Sequence, residues 1–137
     1  MTMDPQTLQA TFDAVAADYV KRLALRVVAV RPGEIDLQMP VAAELVHGGG
    51  VLCGQAVMSA VDTAMVMAMT ADIGAFRPMT TVQLQTSFLR PVPKDVAAVH
   101  LTARVLRRGK SLAFGEITVA TPDGKLAAHA TTTYALL

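Results

Sequence analysis

The sequence has no tryptophan, two tyrosines and four phenylalanines. It lacks the aromatic platforms on which the bases of single strands stack. It also lacks a charge excess: twelve Lys+Arg against eleven Asp+Glu leave a formal net charge of +1, so no basic footprint for nucleic acid is present. The single cysteine, Cys53, excludes an intramolecular disulfide and a cysteine-cluster metal site. A lone thiol fits a reducing, cytoplasmic compartment. His100 and His129 have no Cys, Asp or Glu around them at ligand spacing, so no metal is expected. Segment 1–8 carries Asp4 and Pro5 but neither a basic start nor an apolar core, and does not read as a targeting signal.

What is present is apolar surface. Of 137 residues, 53% are hydrophobic and 17% charged, too apolar for disorder and long enough for one domain with its own core. Mean hydropathy is positive, which predicts that part of the surface is covered by a second copy of the chain. Segment 48–71 carries one charge, Asp62, and has the length of a membrane span. Its opening glycines (Gly48, Gly49, Gly50), its mid-segment charge and its strand-like flanks argue for a buried core helix instead.

Leu8, Phe12, Val15 and Tyr19 recur every three to four residues and predict a helix within 1–20. Segments 23–31 and 34–39 flank Pro32-Gly33 and predict a hairpin. Residues 40–52 read as a glycine-containing loop. Ala, Val and Met fill most of 54–71 and predict a long, buried helix. Segments 80–90, 95–107, 111–121 and 125–136 read as strands joined by Pro91-Val92-Pro93, Arg108-Gly109-Lys110 and Pro122-Asp123-Gly124. The last two are tight-turn chemistry. In the first of these strands Val82, Leu84 and Phe88 alternate with Gln83, Gln85 and Ser87. The expectation is a single α+β domain over 1–137, one helix laid against a twisted antiparallel sheet whose second half is a four-strand meander.

A central apolar helix wrapped by such a sheet is the hotdog arrangement. The run Gly49-Gly50-Val51-Leu52-Cys53-Gly54-Gln55-Ala56-Val57-Met58-Ser59-Ala60-Val61-Asp62 resembles the helix start of hotdog-fold acyl-CoA thioesterases of the phenylacetate-degradation type. Thr81 to Pro91 looks like that family's next strand. Arg107 to Ala113, Asp123 to Leu126 and Ala128 to Thr131 look like its last two hairpins.

Asp62 is the only charge in 54–71, and Met58, Ser59, Met65 and Val66 three and four residues away offer it no ion pair. A buried carboxylate must be satisfied or functional. It reads either as an acid held by Ser59, Thr63 or a neighbouring strand, or as a base or nucleophile. The resemblance implies the latter: this carboxylate activates water, or itself attacks, at a thioester carbonyl. Gly54 stands at the helix start, where amides are unpaired and the dipole is positive. It reads as a tight-loop glycine or as an oxyanion donor, the role the resemblance implies, with Gln55 beside it. The eight residues from Gly54 to Asp62 span about 12 Å. If both act on one carbonyl, the site lies across a dimer interface with antiparallel helices. The resemblance places sites there, in a homodimer expected to pair again as a dimer of dimers.

Three positions depart from the family pattern. Cys53 replaces a frequent His, Gln55 a frequent Gly, and His47 stands where Asn or Gln is usual. Cys53 reads as a small core residue or a helix-start nucleophile, and His47 as a loop residue or a proton-transfer group. Thr80 and Thr81 lie where the family holds its water or its carboxylate, though Thr is also a good strand former. Arg90, Arg107, Arg108 and Lys110 suit the phosphates of coenzyme A or an ordinary solvated turn. Met58, Met65, Met67 and Met69 offer a deformable wall for an acyl group or core packing. The reading is an acyl-CoA thioesterase, with coenzyme A a part of the substrate and no separate cofactor. A non-catalytic acyl-CoA binding protein and a hotdog hydratase or dehydratase are the alternatives.

Overall fold

The computed structural model describes residues 3–137. Two short helices, α1 (Pro5–Val15) and α2 (Asp18–Lys21), precede a hairpin of β1 (Arg26–Arg31) and β2 (Glu34–Pro40). After a loop containing one 3-10 turn come α3 (Gly54–Ile73) and four strands: β3 (Met79–Phe88), β4 (Ala98–Arg108), β5 (Leu112–Ala120) and β6 (Leu126–Leu136).

The helix expected in 1–20 is broken in two. Asp4 caps α1 by accepting the Thr7 amide at 2.8 Å, with Pro5 at the first helical position. Ala16 and Ala17 are both extended, so the four-residue period does not continue through them. Leu8 and Phe12 are buried, while Val15 and Tyr19 are exposed. The break turns the Tyr19 hydroxyl onto Ser59 Oγ of α3 at 2.8 Å.

Helix α3 is buried on most sides. It ends at Gly74, whose φ of +91° is left-handed and whose amide closes on Thr70 O. The buried hydroxyls of Thr63 and Thr70 bond back to the carbonyls of Ser59 and Val66. Although α3 is long and apolar enough to cross a membrane, it is the core helix of this fold. Met65, Met67 and Met69 are fully buried with Ile35, Leu37, Leu101 and Ile117. They pack the core, while Met58 of the same helix is only half-buried.

The six strands make one antiparallel sheet in the order β1-β2-β4-β5-β6-β3. The expected four-strand meander is therefore only three strands long, β4-β5-β6. Strand β3 pairs with β6 and closes the far edge. The cause lies in 89–97. Pro91 and Pro93 bring no amide to a two-residue turn, and the chain instead passes the start of α3, where the Leu52 amide bonds Val92 O and Val51 bridges Pro93. It thus enters β4 beside β2. This is the hotdog fold.

Candidate active site

Asp62 sits midway along α3, half-buried. Two hydroxyls converge on its Oδ1: Thr81 Oγ1 donates at 2.8 Å and Tyr134 Oη at 2.5 Å. Tyr134 Oη also lies 2.9 Å from the Asp62 backbone carbonyl. Burial, and then the Asp62 carboxylate, push the Tyr134 phenol well above its usual pKa, so it stays protonated and donates.

The two donors come together through strand register. Thr81 and Tyr134 are directly opposed on β3 and β6, and opposed residues of an antiparallel pair share a face. Further along, Leu84 opposes Thr132 and Gln83 opposes Thr133, and the register then shifts between Thr81 and Gln83. A regular ladder would set Val82 against Tyr134. A β-bulge puts Thr81 there instead and turns Val82 outward, 59% exposed. The alternation expected to place Val82 with Leu84 and Phe88 thus fails at one inserted residue. Phe88, at the end of the strand, is exposed as well.

Sequence reasoning found Asp62 and Thr81 and missed Tyr134. A signal was present, because Ala128, Ala130, Thr132 and Tyr134 share one phase of the last strand and only Tyr134 carries a long polar tip there. Asp62 and Tyr134 also line a cavity of about 190 Å³, walled by Phe12, Val15, Ala16, Ala17, Val20, Thr63, Val66 and Phe76. The break between α1 and α2 forms one side of it.

At the start of α3 the Cys53 amide is used, donating to Leu45 O at 2.8 Å, and its half-buried thiol caps nothing. Among the described residues no backbone acceptor meets the amides of Gly54 and Gln55, which leaves the positive end of the helix dipole unused. Gln55 is exposed, and its carbonyl accepts the Ser59 hydroxyl at 2.9 Å. Gly54 opens onto a second cavity of about 360 Å³ with Val57, Phe88, Arg90 and Ala128. A Cβ on Gly54 would meet the Phe88 ring at 3.5 Å, so the fold tolerates more than glycine here. His47 makes a turn: its Nδ1 accepts the Gly49 amide at 2.8 Å and its carbonyl accepts the Gly50 amide at 2.9 Å. It shares no hydrogen bond with Asp62 among the described residues.

One chain does not bring the basic residues together. Arg90 lies at the start of α3, near Gly54. Arg108 is at the other end, donating to Asp72 at 2.8 Å, with exposed Arg107 and Lys110 nearby in sequence. The 20 residues of α3 hold these ends about 30 Å apart. His129 of β6 contacts Glu116 at 3.2 Å.

A family model described as the thioesterase superfamily matches residues 44–128, a stretch that contains Gly54, Asp62 and Thr81. A protein of Saccharolobus solfataricus, named as a candidate esterase, is 32% identical over 111 residues, covering 80% of this chain and 76% of that relative. A conserved Pseudomonas aeruginosa protein of solved structure superposes with a TM-score of 0.81 at 30% identity, over 91% of this chain and 98% of its own. The E. coli PaaI protein from the phenylacetic acid degradation operon superposes with a TM-score of 0.82 over 98% of this chain and 96% of its own. At 19% identity, that last likeness is one of fold.

Proposed function

The chain belongs to the thioesterase superfamily, and from that premise we propose that it hydrolyses acyl-CoA thioesters as a homodimer. The observation that carries the reading is Asp62: a carboxylate midway along the core helix, held by Thr81 and open to an apolar cavity. Asp62 takes a proton from water, and the water oxygen attacks the thioester carbonyl. The carbonyl oxygen becomes an oxyanion and accepts the free Gly54 amide, with the Gln55 amide beside it. The C–S bond then breaks, and the departing thiolate takes the proton back from Asp62. Direct attack by the carboxylate is the variant of this route. Single turnover in 18O-water detects it, since water that opens the resulting mixed anhydride at the Asp62 carbonyl leaves label in Asp62.

Within one chain Gly54 and Asp62 stand about 12 Å apart along α3, too far to serve one carbonyl. Two antiparallel copies of α3 bring Gly54 of one protomer to Asp62 of the other. Arg90, beside Gly54, is the basic residue this pairing leaves at the site, suited to a phosphate of coenzyme A. Arg108 is already engaged with Asp72. The exposed, turn-making His47 does not favour a hydratase.

The test is Asp62→Asn with short, medium, long and aromatic acyl-CoAs, read by thiol release. Hydrolysis is expected to fall by about 10²- to 10⁴-fold while ester binding persists. Undiminished hydrolysis in this variant overturns the mechanism. Binding without turnover by the natural chain makes it an acyl-CoA binding protein instead.

A further inference from the structure

The two oxygens of the Asp62 carboxylate are not equivalent. Oδ1 accepts both Thr81 and Tyr134, whereas no donor reaches Oδ2 among the described residues. We propose that Tyr134 is a positioning residue: with Thr81 it saturates Oδ1, fixes the carboxylate plane and reserves Oδ2 for the reacting water. This rests on the reading of Asp62 as the catalytic carboxylate.

The argument begins with the hydroxyl. Tyr134 is 2% exposed, and a buried phenol requires a partner. Its one proton goes to the Asp62 carboxylate at 2.5 Å, with the Asp62 backbone carbonyl 2.9 Å from Oη. Oη therefore ties the carboxylate, at Oδ1, to β6. Thr81 ties the same oxygen to β3, an arrangement available only because the bulge at Val82 exchanges a valine for a threonine opposite Tyr134. Hydrogen bonds to an ionised group are the stronger ones, and two on one oxygen leave the carboxylate no free rotation. Tyr134 is the one other titratable group lining the Asp62 cavity; Thr63 and apolar side chains make the rest. With the phenol held in its protonated form, the donor persists through the working pH range.

Tyr134→Phe removes the hydroxyl and keeps the ring. The expected result, measured well below the variant's unfolding temperature, is a kcat lower by about 10- to 100-fold at little-changed KM. Thr81→Val, which removes the second donor, is expected to lower kcat in the same direction, and Thr81→Ser keeps the natural rate. A natural kcat in Tyr134→Phe overturns the proposal, as does a loss of kcat that Thr81→Val does not share, which assigns the phenol to packing. Asp62→Asn run alongside separates the cases. If that variant stays active the catalytic reading itself fails; if it is dead while Tyr134→Phe behaves as the natural enzyme, only the positioning role fails.

Discussion

Gly115 of β5 lies directly beneath Met65 of α3. A Cβ at position 115 would overlap the Met65 sulfur and stand 2.7 Å from its terminal methyl and 3.1 Å from the Arg104 carbonyl. The glycine is what lets the helix seat a long thioether against the sheet. Met65 is fully buried, so its flexible end has nowhere to go. Gly115→Ala is therefore expected to destabilise the fold by about 1–3 kcal/mol, the usual cost of overpacking. Met65→Ala alone costs about 2–5 kcal/mol. The double variant is expected to cost less than the sum, because each change relieves the other. Urea unfolding of the four proteins measures this, and strict additivity would show that the two residues do not compete for the same space.

A second expectation concerns acid. Arg31 contacts Asp36 at 2.8 Å and also Glu34, Arg104 reaches Glu34 at 2.7 Å, and Thr102 donates to Asp36 at 2.9 Å. The hydrogen bond from Arg31 is the main cause that lowers both carboxyls, below 4.5 for Glu34 and below 3.8 for Asp36. Carboxyls lowered in the folded state bind fewer protons than in the unfolded chain, so stability rises with pH across this window. Their contribution is complete above the ordinary carboxylate values and is lost as pH falls through the lowered ones. The denaturation midpoint is expected to drop below about pH 4.5 and to drop less in Glu34→Gln/Asp36→Asn. Each pair is partly exposed, so added salt is expected to shrink the difference.

The legibility of this fold follows the range of the forces involved. Helix α3 was visible because its composition is local, and Pro32-Gly33 marked its hairpin because Gly33 carries the left-handed φ of +70° that the turn needs. The place of β3 was not visible. No residue within 79–88 states that the strand pairs with β6; the path of 89–97 past the start of α3 decides it. The bulge at Val82 hid for a related reason, since one inserted residue inverts a two-residue period without altering composition. Asp62 stood out as an isolated charge, whereas the roles of Gly54 and Thr81 came through resemblance. The four basic residues were read together as a phosphate site, and the length of α3 separates Arg90 from the other three. Tyr134 was open to inference from the phase of β6, once the strand was known to face the helix.

The last expectation starts from that edge. Strand β3 is ten residues long and among the described residues pairs only with β6, leaving its outer hydrogen-bonding edge open. Val82, Phe88 and Leu89 on or beside it are each more than half exposed. A long, uncovered edge is a template for another strand, and a second copy of β3 laid antiparallel extends the sheet through both protomers. It also turns the two α3 helices antiparallel, the arrangement that the separation of Gly54 and Asp62 demands. The Val82 side chain points away from its own core, so Val82→Lys leaves the protomer intact while setting like charges together at the pairing edge. Sedimentation velocity is expected to show a dimer for the natural chain and a shift toward monomer for the variant, at unchanged far-UV circular dichroism. Thioester hydrolysis is expected to fall with the dimer fraction, and to recover as the variant is concentrated. A folded monomer with full activity per chain would show that one protomer holds a complete site, and the partner's Gly54 amide would then have no part in the reaction.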